Sequence, residues 1–169
     1  MSVSISDYTR HADLQTLLGV FLTDMQTRCL KKAGLAIHGT NRENVLTANA
    51  VDFIIDNQFY TLAAQTEIDI SAISGYTPTT QATGKSRWYL FCLSTASALS
   101  VVEGSVAASA EAALMPDPGT TVCPFCAIRV VNATGSNFTL GTTALNTANI
   151  TATYVDLARP LSGSSAITT

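Results

Sequence analysis

The chain has 169 residues and a mass of 17.8 kDa, a length that suits one domain or one domain with an arm. Charged residues make up only 12% of it, and 24 Thr, 15 Ser and 23 Ala stand in their place. Nine Lys and Arg against twelve Asp and Glu leave a net charge of −3, which excludes a general nucleic-acid binder, and a 47% hydrophobic content excludes a charge-solvated disordered chain.

The first segment has helical spacing. Leu14, Leu18, Phe21 and Met25 recur at intervals of four, three and four, and Leu17 widens their stripe. Ser6, Asp7 or Thr9 suits the cap, Lys31 and Lys32 suit the last turn, and Gly34 suits the stop. The pattern predicts a helix over residues 10–33. A lone helix of this length is marginal in water, so its stripe needs a cover. Leu14, Leu17, Leu18, Phe21 and Met25 are therefore the candidate oligomer or partner interface. Five of the nine basic groups fall in residues 1–42: Arg10, Arg28, Lys31, Lys32 and Arg42.

The period then changes to two. Val51, Phe53 and Ile55 predict a strand, Asp56-Asn57 a tight turn, and Phe59–Leu62 the returning strand. Residues 71–86 form a polar loop. Arg87–Leu93 and Ala98–Val102 predict strands. The Ala-rich stretch 106–115 predicts one or two helical turns, stopped by Pro116-Asp117-Pro118-Gly119. Val122–Val131, Phe138–Leu140 and Ile150–Leu157 complete the strands, and a Ser/Thr-rich tail ends the chain. The fold class expected is mainly β, an antiparallel sandwich or barrel preceded by one amphipathic helix. Its divisions are an N-terminal helical segment (1–42), a β domain (43–158) and an extended tail (159–169).

The motifs that resemble catalytic ones lack their structural settings. Cys123-Pro124-Phe125-Cys126 copies the glutaredoxin tetrapeptide, but a redox-active thiolate needs a helix N-terminus, and a β-branched stretch follows here. Residues three apart on a regular strand point to opposite faces, so no disulfide is expected between the two. Four zinc ligands are not spaced together. Gly84-Lys85-Ser86 lacks both the earlier glycine and the following helix of a phosphate loop, since Thr79 occupies the glycine position. His11 and His38 have no partner nucleophile in a recognisable frame. Asp52 with Asp56, and Glu67 with Asp69, fit solvated strand faces. Trp88, Tyr89 and Tyr76 are the aromatics able to stack on a sugar, and a core strand is the competing role for the first two. No cofactor, metal or catalytic residue is expected. No apolar run is long enough to span a bilayer, and the N-terminus lacks the pattern of a signal peptide.

Thr47–Asp56 followed by Phe59–Ala64 resembles a hairpin recurrent in structural proteins of tailed bacteriophages. Cys126–Val131, Gly141–Asn146 and Ile150–Tyr154 are similar to C-terminal strands of the same group. The resemblance spans roughly residues 45–157. It implies a virion protein made in the host cytoplasm, with capsid decoration on the shell exterior as the leading role and a tail, baseplate or head-fibre module as the alternative. The implied partners are further copies of the chain, as a homotrimer, and the major capsid protein or another virion protein, with no nucleic acid or membrane. The five basic groups of residues 1–42 would then face an acidic shell.

Overall fold

A computed structural model of the chain describes residues 27–159. In chain order the strands are β1 (Arg28–Cys29), β2 (Leu35–Ile37), β3 (Val45–Thr47), β4 (Val51–Ile55), β5 (Gln58–Leu62), β6 (Lys85–Leu93), β7 (Leu99–Glu103), β8 (Cys123–Asn132) and β9 (Ile150–Asp156). They form three antiparallel sheets: β1-β4-β5, β2-β3 and β7-β6-β8-β9. Mainly β, antiparallel architecture is the class expected from the sequence.

The β4–β5 hairpin follows its local chemistry. Val51, Phe53 and Ile55 are buried while Asp52 and Ile54 are half-buried. Asp56 and Asn57 turn the chain with φ of 49° and 63°. Two positive-φ residues match the right-handed twist of the flanking strands.

β6 is buried on both faces, which explains why its sequence runs continuously apolar instead of alternating. Its inner face carries Tyr89, Phe91 and Leu93, and these join Phe53, Ile55, Phe125, Ile128, Phe138 and Leu140 in one core cluster. The cluster draws on both the β1-β4-β5 and the β7-β6-β8-β9 sheet. Each such side chain contributes roughly 1.5–3 kcal/mol by leaving water. The outer face carries Leu90, Cys92 and Ala127 in a second, smaller cluster. Residues 105–118 run across this face as a strap. Ser86 and Ala107 exchange backbone hydrogen bonds of 2.9 and 2.8 Å, and Trp88 Nε1 donates to Ala113 O at 3.1 Å. Gly104 permits the close approach: a Cβ there would lie 2.8 Å from Leu114 O.

Several expectations are corrected. Among the described residues there is no α-helix; one 3-10 turn occurs at Ile70–Ala72. Residues 27–33, expected as the end of the helix, contain β1 instead, because Arg28 and Cys29 pair with Ile54 and Phe53. Lys31 and Lys32 are exposed in the following loop. The rest of the helix, with Arg10, Leu14, Leu17, Leu18, Phe21 and Met25, lies outside the described residues, as does the tail from residue 160. The boundary drawn at residue 42 falls inside the body, since Cys29, Ala33 and Leu35 belong to its core. The Ala-rich stretch is strap, not helix, because its backbone groups bond to β6. Phe138 makes a single bridge with Gln81 in place of a strand.

Gln81 is fully buried and joins three segments. Its backbone exchanges hydrogen bonds with Phe138 at 2.7 and 2.9 Å. Its Nε2 donates to Lys85 O and Val130 O at 2.8 and 3.1 Å, and its Oε1 accepts from Tyr89 Oη at 3.0 Å. Gln81→Leu keeps the volume but orphans these groups, at about 1–3 kcal/mol for each one left unsatisfied. Urea unfolding should show that loss, and adding Tyr89→Phe should restore part of it.

Candidate functional site

The densest polar constellation surrounds Glu103, at the end of β7. One carboxylate oxygen accepts from Tyr76 Oη at 2.7 Å and from the Thr79 amide at 3.1 Å. The other accepts from Arg87 Nη1 at 2.7 Å and from the Thr79 hydroxyl. The Arg87–Glu103 pair is nearly buried, with side-chain exposures of 10% and 14%. Arg87 also lies over the Tyr89 ring, 5.9 Å from its centroid. Burial, then the bond to Glu103, pushes the Tyr76 hydroxyl up, so it stays a donor. Each oxygen is committed to protein partners. The constellation pins the loop before β6 to the sheet.

Among the described residues, the motifs nominated from sequence do not assemble into one site. Cys123 and Cys126 lie on β8, with no helix N-terminus. They do not point to opposite faces as expected: a bulge sets Cys126 against Phe91 but Pro124 against Cys92, so Phe125 is an extra residue. Both cysteines therefore enter the same core cluster, beside Cys29. All four cysteines are free and buried. Burial pushes Cys92 and Cys123 up to about 12, and raises Cys126 further with help from Asp156. This is the opposite of thiolate activation.

Gly84 turns the chain at φ 72° directly into a strand, so no helix dipole faces a phosphate. His38 Nδ1 accepts from the Asn41 amide at 3.0 Å. Glu67 accepts from Asn41 and Asn44 at 2.6 and 2.7 Å, bonds that hold its carboxyl below the usual range. Asp69 caps the 3-10 turn, and Asp52 accepts from Thr61 at 2.9 Å. Among the described residues no group of three His, Cys, Asp or Glu is placed to hold a metal, and no helix is long and apolar enough to cross a membrane. The sugar-stacking candidates are engaged internally. Tyr89 is buried, Tyr76 is tied to Glu103, and Trp88 lies under Arg129 at 5.6 Å.

What the sequence reading missed is a surface at one pole of the body. There Arg159 N donates to Cys29 O at 2.8 Å, so the two ends of the described chain lie side by side. Beside them a groove of about 500 Å³ is lined by Leu90, Met115, Pro116, Pro118, Pro124 and Leu157, with Arg28 and Arg159 among its polar walls. Nε and Nη2 of Arg28 are buried and have no hydrogen-bond partner among the described residues. A hollow of about 240 Å³ adjoins it, sharing Met115 and Pro116 and adding Val106 and Leu114. Leu114 is 76% exposed and Met115 41%. The Leu114-Met115-Pro116 run was the available signal. It was hidden by the helical reading of the alanines before it. Of the five basic candidates, Lys31, Lys32 and Arg42 are exposed, Arg28 lines the groove, and Arg10 lies outside the described residues.

No family model, curated protein or solved structure matches the chain.

The thiols set an alkaline limit. From their ordinary value of 9.0, Cys92 and Cys123 rise in the folded state. Above pH 9 the unfolded chain loses protons that the folded chain keeps, so stability falls as pH climbs toward 12. The fall is at most about 1.4 kcal/mol per pH unit for each such thiol. Unfolding free energies measured from pH 8 to 11 should decline, and Cys92→Ala with Cys123→Ala should flatten the decline.

Proposed function

We propose that the chain is a non-enzymatic structural protein of a tailed-bacteriophage virion, a capsid decoration protein that bridges and stabilises shell subunits from outside. In this reading its body is an antiparallel sandwich and its working form a homotrimer seated on the major capsid protein. The observation that carries the proposal is that the described chain begins and ends at one pole, where Arg159 bonds to Cys29. In this reading that pole is the attachment face, and the opposite end of the body is left clear. The exposed Lys31, Lys32 and Arg42 supply positive charge toward an acidic shell.

The chemistry of the body supports a binding role. The Glu103 carboxylate and the Gln81 amide serve internal bonds, and the thiols are held protonated. Stabilisation follows from linkage, since a protein that binds assembled shell better than free subunits lowers the free energy of the assembled state. Repeated copies turn weak contacts into avidity. A tail, baseplate or head-fibre module that binds a receptor or glycan is the competing role, and the internal commitments of Trp88, Tyr89 and Tyr76 weigh against it.

Removal of residues 1–26 should leave the body folded, with an unchanged strand spectrum, and abolish attachment to particles. Removal of 160–169 should weaken attachment less. Particles lacking the protein should open at lower temperature or at higher salt than decorated ones. Equal survival of bare particles, with the protein found at a tail tip, would move the assignment to the competing role.

A further inference from the structure

We propose that the groove at the pole receives the apolar stripe Leu14, Leu18, Phe21 and Met25 of a neighbouring copy, so that the chains are joined by exchanged N-terminal arms. The inference rests on the self-association in the functional reading, and not on where in a virion the protein sits.

The groove and its adjoining hollow form one apolar strip through their shared Met115 and Pro116. Val106, Leu114 and Met115, three of the four large hydrophobics exposed among the described residues, lie along it. Elsewhere the chain dilutes its surface with Thr and Ser, so an uncovered strip of this kind marks a contact. The stripe upstream matches it in character: four apolar side chains spread over twelve residues, about 16 Å if helical.

The position of the arm excludes its own body. Only Gln26 and Thr27 separate Met25 from β1, and Thr27 and Arg28 themselves line the groove. A chain reversal takes four residues. Folding back would therefore use Met25 and the end of the stripe in the turn. The groove of an adjacent copy takes the whole stripe without that loss. An arm given to one neighbour and a groove filled by another is a head-to-tail contact, which forms a ring when the rotation between copies closes.

Charge is complementary as well. Arg28 and Arg159 line the groove. The arm carries Asp13 and Asp24, four residues before Leu17 and three after Phe21, both at the margin of the stripe. A carboxylate arriving with the stripe meets positive charge on the groove wall.

The test uses the full chain with a photoreactive phenylalanine analogue at position 21. After illumination, a denaturing gel separates chains linked to each other from chains linked internally, and peptide mapping locates the bond. The expected result is linkage between chains, from position 21 to the peptide holding Met115–Pro118 or to Leu157. Linkage only within one chain, linkage to any other surface, or a sedimentation mass of 17.8 kDa at micromolar concentration overturns the proposal. Met115→Glu supplies a second check, because the side chain is exposed and the core is untouched. It should raise the dissociation constant of the oligomer at least about tenfold with the unfolding midpoint of the body unchanged. Full association of that variant also overturns the proposal. An arm-linked oligomer that never attaches to a phage particle would instead sink the decoration reading and leave arm exchange standing.

Discussion

The fold depends on how a buried amide is satisfied. Gln81 belongs to no strand, yet it sits where the polar loop, β6, β8 and the segment around Phe138 meet. Burying a glutamine is costly unless its donors and acceptors are paired. Here the amide bonds to two backbone carbonyls and the Tyr89 hydroxyl, and Asn132 Nδ2 donates to its backbone carbonyl at 3.3 Å. The arrangement fixes a long loop that has little apolar content of its own. It also holds Phe138 in the core without a strand to carry it. The network around Gln81 favours one arrangement over the many that a Thr/Ala-rich chain would otherwise sample.

The second organising feature is the double burial of the sheet around β6. One face receives the hairpin and the long loops, and the other receives the strap. The bulge at Phe125 lets β8 serve this arrangement. It brings Cys123, Phe125 and Cys126 all inward, which a regular strand could not do. Small, adaptable sulfur side chains then fill the inner layer beside Cys29. The tetrapeptide that looks like a redox site is thus a packing solution: a bulge, flanked by cysteines small enough to be buried together.

The residues legible in the sequence were those whose period or turn chemistry acts locally. Val51–Leu62, with Asp56-Asn57 at its tip, is a hairpin in both accounts, and β6, β8 and β9 were placed to within a few residues. What escaped was decided by distant partners. β1 is two residues long and exists because β4 lies beside it. β2 and β3 are three residues each and pair with one another, with Val45 also bridging Ile68. The alanines of 106–115 carry helix propensity, but Ser86 and Trp88 offer their backbone a different set of bonds. The groove at the pole was illegible for the same reason, since it is assembled from residues near 28, 90, 115, 124 and 157. The Glu103 constellation likewise joins residues from three separate stretches.

The hydrogen bond between Arg159 and Cys29 has a topological consequence. Because the body begins and ends at one point, its interior does not depend on a free end at either side. A few linking residues would close it into a ring, and the exposed Asp56-Asn57 turn could then be cut to supply new ends, giving a circular permutant with the same sheets. By the same logic the body can be inserted as a cassette into a surface loop of an unrelated host protein, entering and leaving through adjacent positions.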